Sequence, residues 1–150
     1  MITIITAMDV NGLIGNGPFL PWSIPEEMKL FRQLTTGHTV LMGSTTHKSI
    51  GKILPNRRNV VLTRNPSEYP DVETTTNIDE FVSNNSDFFV IGGLQVYNEF
   101  INKKLVDRFI VSHIVYEYAG DIYFPKSALK GLEQTIIYEC DHFITKEYKC

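Results

Sequence analysis

Short apolar runs alternate along the chain with turn-rich stretches and with segments whose apolar positions recur at helical spacing. Residues 2–7 read as an apolar strand, and a Gly/Asn/Pro-rich loop follows over residues 9–21. A helix is expected over residues 25–36, a buried strand at Thr39–Gly43, a short helix over 45–49 and a β-branched strand over 59–63. Residues 77–82 open a further helix, with Asn77 and Glu80 spaced as a capping box. Residues 88–91 form a strand that ends in Gly92-Gly93 and runs into a helix at Leu94–Asn102. A strand over 108–116 and a terminal hairpin over 134–150 complete the pattern. Strands alternating with helices imply parallel crossovers. The expected fold is therefore α/β: a mostly parallel central β-sheet, helices on both faces and an antiparallel C-terminal edge. No linker or repeat divides the chain, so one domain should span residues 1–150.

Composition narrows the function without naming it. A chain of 150 residues, 43% apolar and 21% charged, can bury a sizeable core. Its formal net charge of −3, with charges interspersed, leaves no electrostatic footprint for nucleic acid or an anionic membrane. The longest apolar runs are far too short to span a bilayer, and the N-terminus lacks the basic flank of a signal peptide. Cys140 and Cys150 are expected to be free thiols in a cytoplasmic protein. His38, His47, His113 and His142 lack metal-ligand spacing, so no metal site is expected, and there is no Gly-x-Ser-x-Gly elbow.

The most informative residue lies in the segment from Ser23 to Leu34. Ser23 reads as the N-cap of its helix, Pro25 sits in the first turn, and Glu26 has capping-box spacing from Ser23. Glu26 is thereby explained. Glu27 is not, because at helical spacing it shares a face with Met28, Phe31 and Leu34. A solvated first-turn carboxylate favoured by the helix dipole is the bland reading. The alternative is a carboxylate that lines a cavity.

Pro21-Trp22 precedes this helix, at the end of a loop containing Ile14-Gly15-Asn16-Gly17. Together with Glu27, Phe31, Met42-Gly43, Ser49-Ile50-Gly51, Leu54-Pro55, Arg57, Ile91-Gly92-Gly93, Gly120-Asp121 and Phe124-Pro125, this ordered series resembles the dihydrofolate reductase family as far as about residue 125. Each motif alone is weak, but their joint order and spacing are specific. The resemblance implies hydride transfer from NADPH to dihydrofolate; nothing in the sequence demands a dimer, so a monomer acting on a small molecule, without nucleic acid or membrane, is expected.

It also implies roles. Glu27 would orient the pterin and favour its protonation, with Trp22 and Ser112 holding Glu27 and a proton-delivering water. Burial against Phe31 should raise the pKa of Glu27. Ile5, Ala7, Leu20, Phe31, Ile50, Leu54, Ile91 and Ser112 would surround the substrate, and Arg57 would grip its glutamate α-carboxylate. Arg58 reads as a solvated surface charge. On the cofactor side the resemblance points to Ala7, Ile14, Gly15 and Leu20 around the nicotinamide, with the loop carrying Ile14 to Leu20 as the mobile lid that closes over it. Two strand-to-helix turns, Gly43-Ser44-Thr45-Thr46 and Gly92-Gly93-Leu94-Gln95-Val96-Tyr97, would meet its phosphates, the Gly92–Gly93 bond being cis in the family. Leu62, Thr63 and Arg64 complete that wall.

Three departures stand out. Ser44 replaces an arginine that many relatives place against cofactor phosphate, which leaves Arg64 as the compensating cation for the 2′-phosphate. Leu94 replaces a third glycine. Residues 143–150 form a short tail that should shorten the last hairpin and its loop. The competing readings are a pyrimidine reductase of riboflavin synthesis, whose relatives lack the Trp22, Glu27 and Phe31 arrangement, and a non-catalytic nucleotide-binding module.

Overall fold

The computed structural model describes residues 1–150. Its strands and helices run β1 (Ile2–Met8), β2 (Leu13–Gly15), α1 (Pro25–Thr35), β3 (Thr39–Gly43), α2 (Ser44–Ile50), β4 (Arg58–Leu62), β5 (Glu73–Thr75), α3 (Ile78–Asn84), β6 (Phe88–Val90), α4 (Leu94–Asn102), β7 (Arg108–Ile114), β8 (Ile122–Tyr123), β9 (Glu133–Glu139) and β10 (Phe143–Lys149). Eight strands form one sheet in the order β5-β4-β3-β6-β1-β7-β10-β9. The pairs from β5 through β7 are parallel, and β10 runs antiparallel to both β7 and β9. This is the expected α/β architecture. No helix is long and apolar enough to cross a membrane, and no group of three His, Cys, Asp or Glu side chains could hold a metal ion.

The two-residue period of each strand divides the core between the faces of the sheet. Ile2, Ile4, Leu41, Val60, Phe88, Val90, Phe109 and Val111 point to one face, where α3 and α4 supply Ile78, Phe81, Val96, Tyr97 and Phe100. Ile5, Val40, Met42, Val61, Phe89 and Ile110 point to the other face, against Phe31 and Leu34 of α1 and Ile50 of α2. Trp22, Ile24, Ile114 and Phe143 extend that second layer toward β10. Strands buried on both faces explain why Val40-Leu41-Met42 and Phe88-Phe89-Val90 are apolar without alternation.

Several local expectations are corrected. Ser23 does not cap α1: the capping position falls on Ile24, no side chain bonds the helix end, and Glu26 instead accepts from the Tyr138 hydroxyl of β9. Asn77 does cap α3, accepting from the Glu80 amide at 3.1 Å. Arg58 is not merely solvated; its guanidinium pairs with Glu73 on β5 and donates to Asn85. The expected shortening of the strands is not seen: β9 and β10 are seven residues each, joined by the turn from Cys140 to His142. A second, two-stranded sheet of β2 and β8 was not expected. It pins the root of the loop that follows β2.

Candidate active site

The cleft opens at the carboxyl ends of β1, β3, β4 and β6, where crossovers leave the parallel sheet toward opposite faces. It measures about 1210 Å³ and narrows between α1 on one side and the starts of α2 and α4 on the other. Of the site residues expected from the sequence, all but one line it: Ile5, Ala7, Ile14, Gly15, Leu20, Trp22, Glu27, Phe31, Gly43, Ser44, Thr45, Thr46, Ile50, Leu54, Arg57, Leu62, Thr63, Arg64, Ile91, Gly92, Gly93, Leu94, Gln95, Val96 and Tyr97.

Ser112 is the exception. It shares a sheet face with Ala7, its register partner on β1, but Thr145 on β10 lies on its other side. The two hydroxyls bond at 2.8 Å and both residues are buried. Ser112 thus lies beside the cleft, not on its wall.

At the α1 end, Glu27 is half-buried and makes no hydrogen bond to protein, and burial alone pushes its pKa up to about 7. Trp22 is 7% exposed, and its indole Nε1–H is a buried donor without a protein partner. A buried donor left unmatched is costly, so a polar group is expected to meet it when the site is filled. Phe31, Ile50 and Leu54 continue the wall outward as apolar surface. Arg57 closes it, oriented by Nε donation to the Pro55 carbonyl (2.9 Å) and Nη1 donation to Thr35 Oγ1 (3.1 Å). Desolvation, then the charge of Arg32, lower the Arg57 pKa. Arg32 and Lys52 also line the cleft, making its outer end cationic. Neither was singled out in the sequence, where both look like ordinary surface charges.

At the other end, backbone dominates. Gly43 and Gly93 precede α2 and α4, and neither helix start is capped by a side chain. First-turn amides have no intrahelical acceptor, so they are available to anionic oxygens. The Gly92–Gly93 peptide is cis, and Gly92 adopts φ +132°. A Cβ on Gly92 would lie 3.3 Å from Thr46 Oγ1 and 3.5 Å from the Tyr97 hydroxyl. That site needs glycine both for its backbone conformation and for the space between the two turns. Tyr97 is buried, donates to the Ile5 carbonyl at 2.9 Å and has its pKa raised, chiefly by burial.

The loop after β2 bridges the two ends. Phe19 and Leu20 are 74% and 60% exposed at its tip, while the Gly17 amide donates to Asp121 Oδ1 and Ser49 Oγ donates to the Pro18 carbonyl. Its root is held by Asp9, whose buried carboxylate accepts from the amides of Asn11, Leu13 and Tyr118. Burial opposes the ionisation of Asp9, but these amides outweigh it and keep its pKa low.

This geometry agrees with the comparisons to known proteins. The sequence profile of the family described as dihydrofolate reductase matches residues 1–142. The dihydrofolate reductase of Bacillus subtilis (strain 168) is 39% identical over 130 residues, covering 84% of this chain and 76% of that protein. The Staphylococcus aureus enzyme of the same name is 38% identical over 133 residues, covering 88% and 82%. Among solved structures, dihydrofolate reductase from Enterococcus faecalis, complexed with NADP(H) and RAB-propyl, superposes with a TM-score of 0.79 at 25% identity, over 99% of this chain and 95% of that one. This sheet topology and relatives this similar leave one assignment: the chain belongs to the dihydrofolate reductase family.

Proposed function

We propose that this protein reduces 7,8-dihydrofolate to 5,6,7,8-tetrahydrofolate by hydride transfer from NADPH. The observation that carries this reading is Glu27: a carboxylate with no protein partner, set in an apolar wall beside an unmatched indole N–H. A pterin presents an amino group and an adjacent ring nitrogen, which together match a carboxylate's two oxygens. Glu27 orients the ring and, with its pKa near neutrality, favours the protonated state of the pterin, while Trp22 Nε1 holds the water that delivers the proton. Ser112 supports the wall from outside the cleft. Phe31, Ile50 and Leu54 enclose the p-aminobenzoyl group, and Arg57 takes the glutamate α-carboxylate.

The residues at the opposite end fit NADPH. Gly43 to Thr46 and Gly93 to Gln95 present amides and hydroxyls to the phosphates, and the gap over Gly92 would be filled by any side chain. Thr63 and the exposed Arg64 stand where a 2′-phosphate would be met, in the absence of a basic residue at Ser44. NADPH supplies the hydride when bound. Ala7, Ile14 and Leu20 exclude water from the transfer site, and the loop over residues 16–20 closes above it. Both cysteines are free thiols, which supports a cytoplasmic setting, and we take the protein as a one-domain monomer.

The direct test is the loss of reduced-nicotinamide absorbance on adding dihydrofolate. Oxidation that requires dihydrofolate and prefers NADPH to NADH supports the assignment. Binding of the cofactor without any response to folate would overturn it, and would favour reduction of a different heterocycle.

A further inference from the structure

The first turn of α1 carries Glu27 but has no cap of its own. What holds that turn comes from the far edge of the sheet. Strand register aligns Ala7 on β1, Ser112 on β7, Thr145 on β10 and Tyr138 on β9 in a single row. Residues paired across strands share a face, so the row runs beneath the second core layer, from the cleft outward. It begins at Ala7 on the cleft wall and is tied midway by the buried Ser112–Thr145 hydroxyl bond of 2.8 Å. At its outer end Tyr138 stacks on Phe143 (centroids 5.6 Å apart, planes 24° apart) and donates its hydroxyl to Glu26. Trp22, Ile24, Ile114 and Phe143 fill the space between row and helix. The two adjacent carboxylates of α1 therefore divide their tasks. Glu26 is claimed by the sheet edge, and Glu27 is left to the cleft.

We propose that Tyr138, acting through Glu26, is a positioning residue for the reduction, one that fixes the first turn of α1 over the sheet and so sets where the Glu27 carboxylate stands. This rests on the role given to Glu27 above. A carboxylate that must meet two adjacent pterin nitrogens tolerates little displacement, and the helix end that bears it is uncapped. Removing the tether leaves Glu27 in the cleft but lets its helix turn drift. The charged and titratable groups facing this turn are Lys29 on α1, Tyr138 at the end of β9, Cys140 and His142 in the hairpin turn, and Tyr116 and Tyr118 after β7, while Tyr97 on α4 faces Glu27.

The test compares the unmodified protein with Tyr138→Phe, Glu26→Met, which leaves no acceptor, the double variant and a control, Tyr148→Phe, whose hydroxyl meets His113 on the other face of the sheet. Readouts are kcat, KM for dihydrofolate and for NADPH, the pH profile of kcat/KM, thermal midpoint, and emission of Trp22, the single tryptophan of the chain. Each single variant should lower kcat by roughly 3- to 30-fold, the scale on which small misplacements act. Each should also shift the pH midpoint, alter Trp22 emission and leave the KM for NADPH unchanged. The double variant should lose no more than the worse single one, because both break the same contact. Tyr148→Phe should match the unmodified protein in kcat and pH profile. A lowered thermal midpoint with unchanged kcat and pH profile would overturn the proposal, as would losses that add in the double variant. If the unmodified protein fails to oxidise NADPH with dihydrofolate, the proposed function itself fails and the positioning role with it; if only the variants are indistinguishable, the positioning role alone falls.

Discussion

The two ends of the cleft recognise their ligands by opposite means. The α1 end relies on a few side chains held apart from one another: Glu27 and Trp22 without protein partners, three apolar residues and Arg57. The other end relies on backbone, with two uncapped helix starts, a cis Gly92–Gly93 peptide and hydroxyls in place of charges. Where recognition is concentrated in single groups, one substitution should be severe. Where it is spread over amides, single side chains should matter less and shape should matter more.

The strongest break in that contrast is Glu27→Gln. It keeps the volume and removes the titrating group, so kcat/KM for dihydrofolate at neutral pH should fall by roughly 10²- to 10⁴-fold, the range for a positioned acid–base group; steady-state turnover measures it. The same residue should also contribute to the dependence of stability on pH. Its folded pKa of about 7 lies above an ordinary value of 4.5, so between these limits the folded chain binds more protons than the unfolded one. Its own contribution to stability is full below this window and falls as pH rises through it, by at most about 3 kcal/mol. Denaturant titrations at pH 4.5 and 7.5 should show it as the difference between the unmodified protein and Glu27→Gln.

Arg57→Ala comes next. It should weaken glutamate-bearing folates by roughly 10- to 150-fold, the worth of a charged hydrogen-bonded pair, and barely touch tail-less pterins. Equal loss for both would place Arg57 outside substrate recognition. The mildest change is expected at the backbone-rich end. Arg64 is exposed, so Arg64→Ala should reduce the preference for NADPH over NADH by only about tenfold, visible as KM for NADPH with little change in kcat. An effect there larger than that of Arg57→Ala would invert the contrast between the two ends.

Much of this was readable from the chain because it rests on local pattern. The strands buried on both faces show as unbroken apolar runs, and Glu27 announces itself as a carboxylate beside the stripe of Phe31 and Leu34. What escaped detection depends on distant partners. Glu26 has the spacing of a capping box, but the Tyr138 hydroxyl, far along the chain, takes its carboxylate. Ser112 follows an apolar strand run much as a cleft-wall residue would, and only the arrival of β10 shows that Thr145 engages it. β5 is too polar and β2 and β8 too short to carry a two-residue period. Arg32 and Lys52 become site residues only once Arg57 is folded beside the same opening.

The placement of β10 has a consequence for synthesis. It is the last strand in chain order, yet it lies inside the sheet, between β7 and β9. A nascent chain can pair β1, β3, β4, β6 and β7 before β10 has been made. During that interval β7 presents Phe109, Ile110 and Val111 along an open edge, the kind of template that captures another chain. Proteolysis or truncation within β10 would restore that exposed edge, turning the enzyme into a seed for aggregation without touching a residue of the cleft.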